Sequence, residues 1–317
     1  LDTENIIEVV LTHISDILPC DCVSVTLLDV SEQDPALTYI RGKGAGFEKE
    51  EETIPLTPRE LKKIYQQPEF FAIEASRTTP KFLAPLITCG TKSFLVFPLF
   101  IKQVLSGIIT LGYHEPPIYD QEEVAQVRQL ADQVAVALSN ARLIEELEQL
   151  HLGTLTALAR AIDAKSRWTS GHSERVTDIA LKIGRALGLS PKELEALHRG
   201  GLLHDLGKIG IPAEITDRAG KLSETEERLI REHVQLGWRI LEPIAAFSDI
   251  MPIVLQHHEH FDGTGYPNGL AGNAIHVGAR ILMVANAFDA LTTHQPFRAA
   301  ISREQAIEII KGGEKNV

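Results

Sequence analysis

A long segment in the middle of the chain lacks helix-breaking residues. Residues 121–165 contain no proline and only one glycine, Gly153, and therefore favour a single continuous helix. Apolar side chains recur along it at steps of three and four, at Val127, Leu130, Val134, Ala137, Ala141 and Ile144. This spacing indicates either a helix that packs on its own domain or one that pairs in parallel with a second copy. We expect a homodimer through this linking helix, because helices of this length rarely stand alone.

The linking helix divides a multidomain chain into two domains of ordinary size. We place the first domain in residues 1–145, with an exit helix from about residue 121 that continues as a linker to about residue 165, and the second in residues 150–317. Residues 1–150 carry a net charge of −11 and residues 151–317 a net charge of −1. The acidic first half argues against nucleic-acid binding.

Hydropathy and cysteine content indicate a cytoplasmic protein. No stretch of 18 or more apolar residues occurs, so we expect no membrane segment. Cys20, Cys22 and Cys89 are odd in number and do not have the spacing of paired zinc ligands. We therefore interpret all three as reduced packing residues, as is usual in the cytosol.

The first domain has the pattern of a mixed helical and stranded fold. A helix is predicted over residues 1–18, strands over 22–29 and 37–42, a short helix over 61–66 and paired strands over 93–101 and 104–113. This order, the strand CVSVTLLD and the turn of Leu105–Ile109 into a strand resemble the GAF family of sensor domains. The resemblance covers about the first 145 residues. It implies an α+β domain with an antiparallel sheet flanked by helices, and a small-molecule ligand that no residue identifies.

Histidines are concentrated in the second domain, where helical patterns prevail. Ten of the twelve lie in residues 151–317. They are His151, His172, His198, His204, His233, His257, His258, His260, His276 and His294. Because histidine is the commonest metal ligand in proteins, this distribution is the first indication of function.

An adjacent histidine and aspartate, His204-Asp205, have the residue types of a site for two metal ions. A carboxylate can bridge two ions while imidazoles from other helices complete their coordination, and such a pair promotes phosphoester chemistry. The nearby Gly207-Lys208 and the later pair His257-His258 strengthen this interpretation. The alternatives are a helix-capping pair at residues 204 and 205 and two surface histidines at 257 and 258.

Several segments of the second domain resemble the HD-GYP family of HD phosphohydrolases in their order and spacing. They are GHSERV (171–176), LLHDLGKIGIP (202–212), the helix with His233, HHEHFDGTGYP (257–267), ARILMVANAFDALT (279–292) and PFR (296–298). The resemblance implies an all-α helical bundle that hydrolyses cyclic di-GMP to the linear dinucleotide, to GMP or to both. It also implies two divalent transition metals per chain, iron or manganese.

The resemblance assigns roles to individual residues. The implied metal ligands are His172, His204, Asp205, His233, His257, His258 and Asn286, with Asp205 bridging the ions. Lys208 would contact a phosphate oxygen in catalysis, Arg298 would hold the ligand's phosphate, and Asp289 would lie beside the substrate. Tyr266 would either contact the substrate or only pack in its turn. The loop of residues 262–267 would form the rim of the site and a surface for a diguanylate cyclase or an adaptor partner.

The sequence departs from the family pattern at three positions. Trp168 stands where some members have a glutamate that binds a third metal, and indole cannot replace it. Asn286 replaces a ligand aspartate and brings no charge, and Gln295 replaces a phosphate-binding arginine. These departures put the catalytic rate in doubt more than the fold. The leading hypothesis is a cyclic di-GMP phosphodiesterase regulated by its sensor domain, and the alternative is a catalytically weak receptor that binds cyclic di-GMP or metal.

Overall fold

The computed structural model of the chain separates into two compact units, Leu1–Leu147 and Glu148–Val317. It describes residues 3–28, 35–42, 47–50, 56–76, 79–166, 169–218, 220, 222–294 and 298–312. Within these ranges, no helix combines the length and the apolar character needed to cross a bilayer.

The first unit is a six-stranded sheet with helices on both faces. Its helices are α1 (Thr3–Ile17), α2 (Pro58–Gln66), α3 (Ala84–Thr88) and the beginning of α4 (Gln121–Asp163). Its strands are β1 (Cys22–Leu28), β2 (Pro35–Gly42), β3 (Phe47–Glu50), β4 (Phe71–Glu74), β5 (Ser93–Ile101) and β6 (Val104–Tyr113). The strand order is β3-β2-β1-β6-β5-β4, and every neighbouring pair is antiparallel. The predicted α+β fold is therefore confirmed.

Strand β5 reads as an unbroken apolar run because both faces of the sheet are covered. Leu95 and Phe97 pack in one core with α1 and the beginning of α4. Phe94 and Val96 point to the opposite face, into a second core that includes residues of α2 and α3. Successive side chains of a strand alternate between faces, so a strand buried on both sides loses the alternation of apolar and polar residues.

The linking helix is confirmed as the single element α4, which begins in the first unit and ends in the second. Its early apolar residues serve the first unit: Val127 and Val134 are 0% and 4% exposed and pack in the core under the sheet. This part of the three-four pattern therefore reflects packing on the helix's own domain. Leu143, Leu147 and Leu150, farther along, are 58%, 65% and 67% exposed.

The second unit is built from helices, as predicted. They are the end of α4, α5 (His172–Ala186), α6 (Pro191–Leu203), α7 (Ala213–Thr216), α8 (Glu224–Leu241), α9 (Met251–Gln256), α10 (Val277–Thr292) and α11 (Arg303–Lys311). Helices α6, α8 and α11 begin at capping boxes whose N-cap residues are Ser190, Ser223 and Ser302. In each box the serine and a residue three positions later satisfy free backbone N–H groups, which fixes where the helix starts.

Candidate metal centre

Four short segments of the second unit bring five histidines to one aspartate. His172 is the first residue of α5, His204 and Asp205 directly follow α6, His233 lies within α8, and His257 and His258 directly follow α9. Asp205 Oδ2 lies 3.3 Å from His204 Nε2 and 3.6 Å from His172 Nε2. Asp205 Oδ1 lies 3.3 Å from His233 Nε2. The two carboxylate oxygens therefore face different histidines.

The cluster separates into two groups that share Asp205. One group holds His172, His204 and Asp205, and the other holds Asp205, His233, His257 and His258. Within each group, the candidate ligand atoms all lie within 4.8 Å of one another. A shared carboxylate between two sets of imidazoles is the arrangement by which one aspartate can bridge two metal ions.

A close backbone contact between two elements places Asp205 beside His233. After Asp205 the chain forms a 3₁₀ turn (Leu206–Gly210), which packs against α8. A Cβ atom at Gly207 would lie 1.8 Å from the carbonyl oxygen of His233 and 2.5 Å from the amide nitrogen of Gly237. Only glycine allows the two backbones to approach this closely. The glycine of the His-Asp-Leu-Gly-Lys sequence thus has a direct role in forming the centre.

Four of the histidines are oriented through their second ring nitrogen. Nδ1 of His172 lies 2.7 Å from Asp289 Oδ2. Nδ1 of His204 and of His257 each lie 2.7 Å from a backbone carbonyl, of Gly201 and of Val254, and Nδ1 of His233 contacts the carbonyl of Ile230. When Nδ1 donates to these acceptors, Nε2 is left unprotonated and available to a metal.

Burial and neighbouring charges set the ionisation of Asp205 and of the His257–His258 pair. For His204, burial opposes the charged form, but Asp205 raises the pKa above its ordinary value. Burial lowers the pKa values of His257 and His258 well below the ordinary value, and the neighbouring histidines lower them further. Burial alone would raise the pKa of Asp205, but His204 and Lys208 hold it well below its usual range. The aspartate is therefore ionised and this histidine pair is neutral, which are the forms that bind cations.

Two buried ligand atoms have unused bonding capacity. His204 Nε2 and Asp205 Oδ1 make no hydrogen bond within the described part of the chain, although His204 is 0% and Asp205 3% exposed. Leaving a buried polar atom unpaired costs free energy, of about 1–3 kcal/mol. A bound cation would satisfy both atoms, so the donor set fits divalent metal ions.

Of the residues expected to contact substrate, Lys208 and Tyr266 touch residues of the metal centre, whereas Arg298 contacts the end of α10. Lys208 Nζ lies 2.6 Å from Asp205 Oδ2, so this lysine is at the centre itself. Tyr266 stacks on His258 with ring centroids 4.7 Å apart, and the guanidinium carbon of Arg231 lies over the Tyr266 ring, 5.0 Å from its centroid. Arg298 is exposed and donates from Nη2 to the carbonyl of Ala290, near the end of α10.

Asp289 is buried beside the centre and contacts one of its candidate ligands, His172. Its carboxylate accepts from Arg175 Nε at 2.7 Å and Nη2 at 3.1 Å, in addition to contacting His172. It is 2% exposed, so these partners engage both oxygens in the interior. The sequence placed Asp289 beside the site, among the residues expected to bind substrate, but Arg175 was not singled out. Asn286 lies half-buried on α10, one turn before Asp289.

The loop after His258 is organised by a buried glutamate that sequence reasoning did not single out. Glu259 is 0% exposed, and its side chain accepts from the amides of Asn268 at 2.7 Å and Leu270 at 3.0 Å. A Cβ atom at Gly265 would lie 2.2 Å from the amide nitrogen of His260, so the loop folds tightly back on the histidine segment. The position of Glu259 inside HHEH was the available signal.

Two of the three departures from the family pattern, Trp168 and Gln295, lie outside the described residues. The third, Asn286, is described and lies on α10, three residues before Asp289.

Comparison with known families assigns both units. Residues 156–316 match the HD domain family, and residues 2–138 match the GAF domain family. Because the first match covers more than half of the chain, the chain belongs to the HD domain family, with a GAF domain preceding the HD domain. The expected resemblance is therefore confirmed.

Curated relatives of this chain are named as cyclic-dinucleotide phosphodiesterases. The 3'3'-cGAMP-specific phosphodiesterase 3 of Vibrio cholerae is 40% identical over 157 residues, which cover 50% of this chain and 34% of that protein. The cyclic di-GMP phosphodiesterase response regulator RpfG of Xanthomonas campestris is 36% identical over 223 residues, which cover 70% of this chain and 57% of that protein. The chain thus spans less than two thirds of the length of these relatives.

Among solved structures, the HDG"Y"P protein Bd1817 of Bdellovibrio bacteriovorus aligns with a TM-score of 0.42 and 19% sequence identity. That alignment covers 67% of this chain and 78% of Bd1817.

Proposed function

We propose that this chain is a metal-dependent phosphodiesterase that hydrolyses cyclic di-GMP under the control of its GAF domain. The observation that carries the proposal is the convergence of five histidines on Asp205, where two buried ligand atoms make no hydrogen bond within the described residues. The names of the relatives support a cyclic dinucleotide as the substrate. The product would be the linear dinucleotide, GMP or both.

Two divalent ions, iron or manganese, would be held on either side of Asp205. His172 and His204 would bind one ion, and His233, His257 and His258 the other. Asn286 on α10 would be a further ligand. When bound, such ions lower the pKa of water and neutralise charge that develops on a phosphate. The role of this chain's residues is to hold the ligand atoms in place, through the Nδ1 contacts and Asp289.

Lys208 would hold the scissile phosphate next to the ions. Its ammonium group is 2.6 Å from Asp205 Oδ2 and its side chain is 25% exposed, so it can reach a phosphate that enters from solvent. Lysine serves this purpose as a point charge. Arg298 would bind a phosphate group at the end of α10, and Tyr266, already stacked on His258, would form one wall of the site.

A catalytically weak receptor is the second candidate function, and Asn286 is the observation that favours it. An amide supplies a ligand oxygen without charge, so it would hold a cation less firmly than a carboxylate. A receptor of this kind would bind cyclic di-GMP, convert it slowly, and signal through a homodimer or through a diguanylate cyclase or adaptor bound at residues 262–267.

A hydrolysis assay separates the two candidates. Protein purified and loaded with iron or manganese would be incubated with cyclic di-GMP, and in parallel with 3'3'-cGAMP, with products resolved by chromatography. Multiple turnovers, lost in the Asp205→Ala variant, support the enzyme. Tight binding of the nucleotide without turnover supports the receptor, and neither binding nor turnover contradicts both.

A further inference from the structure

The end of α4 contacts the turn that carries Lys208. Lys165 follows α4 by two residues, and its Nζ donates to the carbonyl oxygens of Lys208 at 2.9 Å and Ile209 at 2.7 Å, and also to that of Ile211. An ammonium group has three N–H donors and no acceptor, so these contacts use its full capacity. Lys165 is half-buried, whereas most lysines remain exposed.

Two of these carbonyls, those of Lys208 and Ile209, lie at the end of the 3₁₀ turn Leu206–Gly210, and Ile211 directly follows it. The Lys208 carbonyl also accepts from the Ile211 amide. The last carbonyls of a helical turn carry partial negative charge, so a cation there is favourable. The opposite side of the turn is fixed against α8 by the contact at Gly207. Lys165 therefore gives the turn a second contact, at the carbonyls of Lys208, Ile209 and Ile211.

A second residue of the same helix end holds the other half of the centre. Asp163, the last residue of α4, accepts from the backbone amide and the hydroxyl of Ser173, each at 2.9 Å. Asp163 is 3% exposed, and Ser173 directly follows His172 in the first turn of α5. The carboxylate thus satisfies a free amide at the start of that helix and fixes the position of His172.

We propose that Asp163 and Lys165 are positioning residues that set the placement of His172 relative to the turn carrying Asp205 and Lys208. Helix α4 begins inside the GAF unit, so a shift of its end would act on both halves of the centre together. This inference rests on the proposed function, because the catalytic role of the centre is proposed there; the contacts of Asp163 and Lys165 do not depend on that role. Through α4, a displacement in the first unit would reach the candidate metal centre of the second.

The central variant is Lys165→Met, which keeps the aliphatic chain and removes the three donors. Hydrogen exchange in the metal-free full chain should accelerate at the amide of Ile211, which donates to Lys208 O within the turn. The exchange of α5 should change little. Lys182→Met, which removes an exposed lysine from α5, is the matched control and should leave the turn unchanged. Lys165→Arg keeps the charge but spreads its donors in a plane, so it should give a smaller acceleration.

Activity then distinguishes positioning from general stability. Lys165→Met should lower kcat by about 10–100-fold, the range expected when a reacting group is displaced by about 1 Å. Combined with Lys208→Ala, the total loss should be smaller than the product of the two separate losses, because one of the two groups that Lys165 positions is already absent. Independent, multiplying losses in the double variant would overturn the proposal.

The outcomes also separate this inference from the proposed function. If the parent chain hydrolyses no cyclic dinucleotide, the proposed enzyme fails, and exchange at residues 206–211 alone decides the inference. Acceleration in Lys165→Met but not in Lys182→Met supports it. Equal exchange in the parent and both variants overturns it, as does acceleration that spreads equally over the whole second unit.

Discussion

At the scale of single residues, Asp205 and Lys208 lie next to each other but would perform separable tasks. Asp205 faces His204, His172 and His233, so it is the one residue common to both candidate metal groups. Lys208 contacts Asp205 but belongs to neither group. Metal content and turnover should therefore respond differently to the loss of each.

We predict that Asp205→Ala loses both metal and hydrolysis, because both ions lose their shared ligand. Lys208→Ala should keep its metal and lose about 10²–10³-fold in kcat, the usual cost of removing one group that stabilises developing charge. The test is to measure the metal content by elemental analysis, and kcat, for the parent and both variants. Wild-type activity in both variants would contradict the assignment of the centre.

Asn286→Asp should raise both metal occupancy and hydrolysis. The substitution is isosteric and adds one negative charge beside a dicationic ion, which strengthens binding. We expect metal affinity to rise by on the order of 10-fold, within the range that changes around a metal site produce. A neutral amide leaves a bound ion more electrophilic than a carboxylate does, and this effect favours the parent. We expect the gain in metal occupancy to outweigh it, because hydrolysis stops when one metal position is empty.

The matched control for Asn286→Asp is Asn273→Asp, which adds the same charge on an exposed turn of the same unit. Activity and metal content are compared at saturating and at limiting metal. If Asn286→Asp equals the parent in both conditions, Asn286 is a neutral variation and the argument for a weak enzyme fails.

The residue types at the centre were predictable, but the contacts that orient them were not. The HD-GYP resemblance named six residues that the structure brings together: His172, His204, Asp205, His233, His257 and His258. The pairing of His172 with Asp289 spans 117 positions, and the contact of Lys165 with the 3₁₀ turn spans more than 40. Such contacts depend on how helices pack, and no local spacing encodes that packing.

At the scale of elements, the loop after His258 depends on one buried carboxylate. Glu259→Gln places an amide N–H₂ where the backbone amide of Asn268 or Leu270 now donates, so one buried donor loses its acceptor. We expect a loss of about 1.5–3 kcal/mol in the stability of the second unit, the usual worth of a hydrogen bond to a charged group. A denaturant titration should show a lower midpoint.

Glu195→Gln is the control for the loop experiment, since it removes an equal charge from a glutamate whose side chain is 68% exposed. Its midpoint should equal that of the parent. A Glu259→Gln variant as stable as the control would show that the loop is held by other contacts, such as the stacking of Tyr266 on His258.

Strands with both faces buried, and helices with a clear repeat of apolar residues, were predicted at their true positions. Short elements were missed. The strands over 93–101 and 104–113 agree with β5 and β6, and α4 ends within two residues of its predicted end. The four-residue β3 and the five-residue α3 were not predicted. An element of one turn or two residue pairs carries no period, so tertiary packing alone defines it.

At the scale of the whole molecule, the number of metal ions is the first quantity to measure. Trp168 offers no oxygen ligand where some family members have a glutamate, and the described histidines and Asp205 form two groups. We predict at most two ions per chain in protein purified without chelators. Mass spectrometry under native conditions or elemental analysis provides the count, and three firmly bound transition metals would contradict the prediction.

The oligomeric state is the second property of the whole molecule to measure, because part of α4 exposes large apolar side chains. Val136, Leu143 and Leu150 recur every seven residues at 56%, 58% and 67% exposure, and Leu147 at 65% lies on the same face. With these three residues at the d positions of a heptad, Asn140 and Leu147 occupy a positions. A single asparagine at an a position, with leucine at d, is a pattern that specifies a parallel pair in one register.

We therefore predict that the full chain is a dimer at micromolar concentration and that Leu147→Glu combined with Leu150→Glu makes it monomeric. Burying one such leucine contributes about 1.5–3 kcal/mol, so the four in a dimer contribute about 6–12 kcal/mol, comparable with the roughly 8 kcal/mol of a micromolar association. Val9→Glu, a change at a 56% exposed position of α1, is the control and should remain dimeric. Light scattering measures all three proteins. A parent chain that stays monomeric would restrict α4 to packing on its own domains, because its exposed leucines would then have no second copy to bury them.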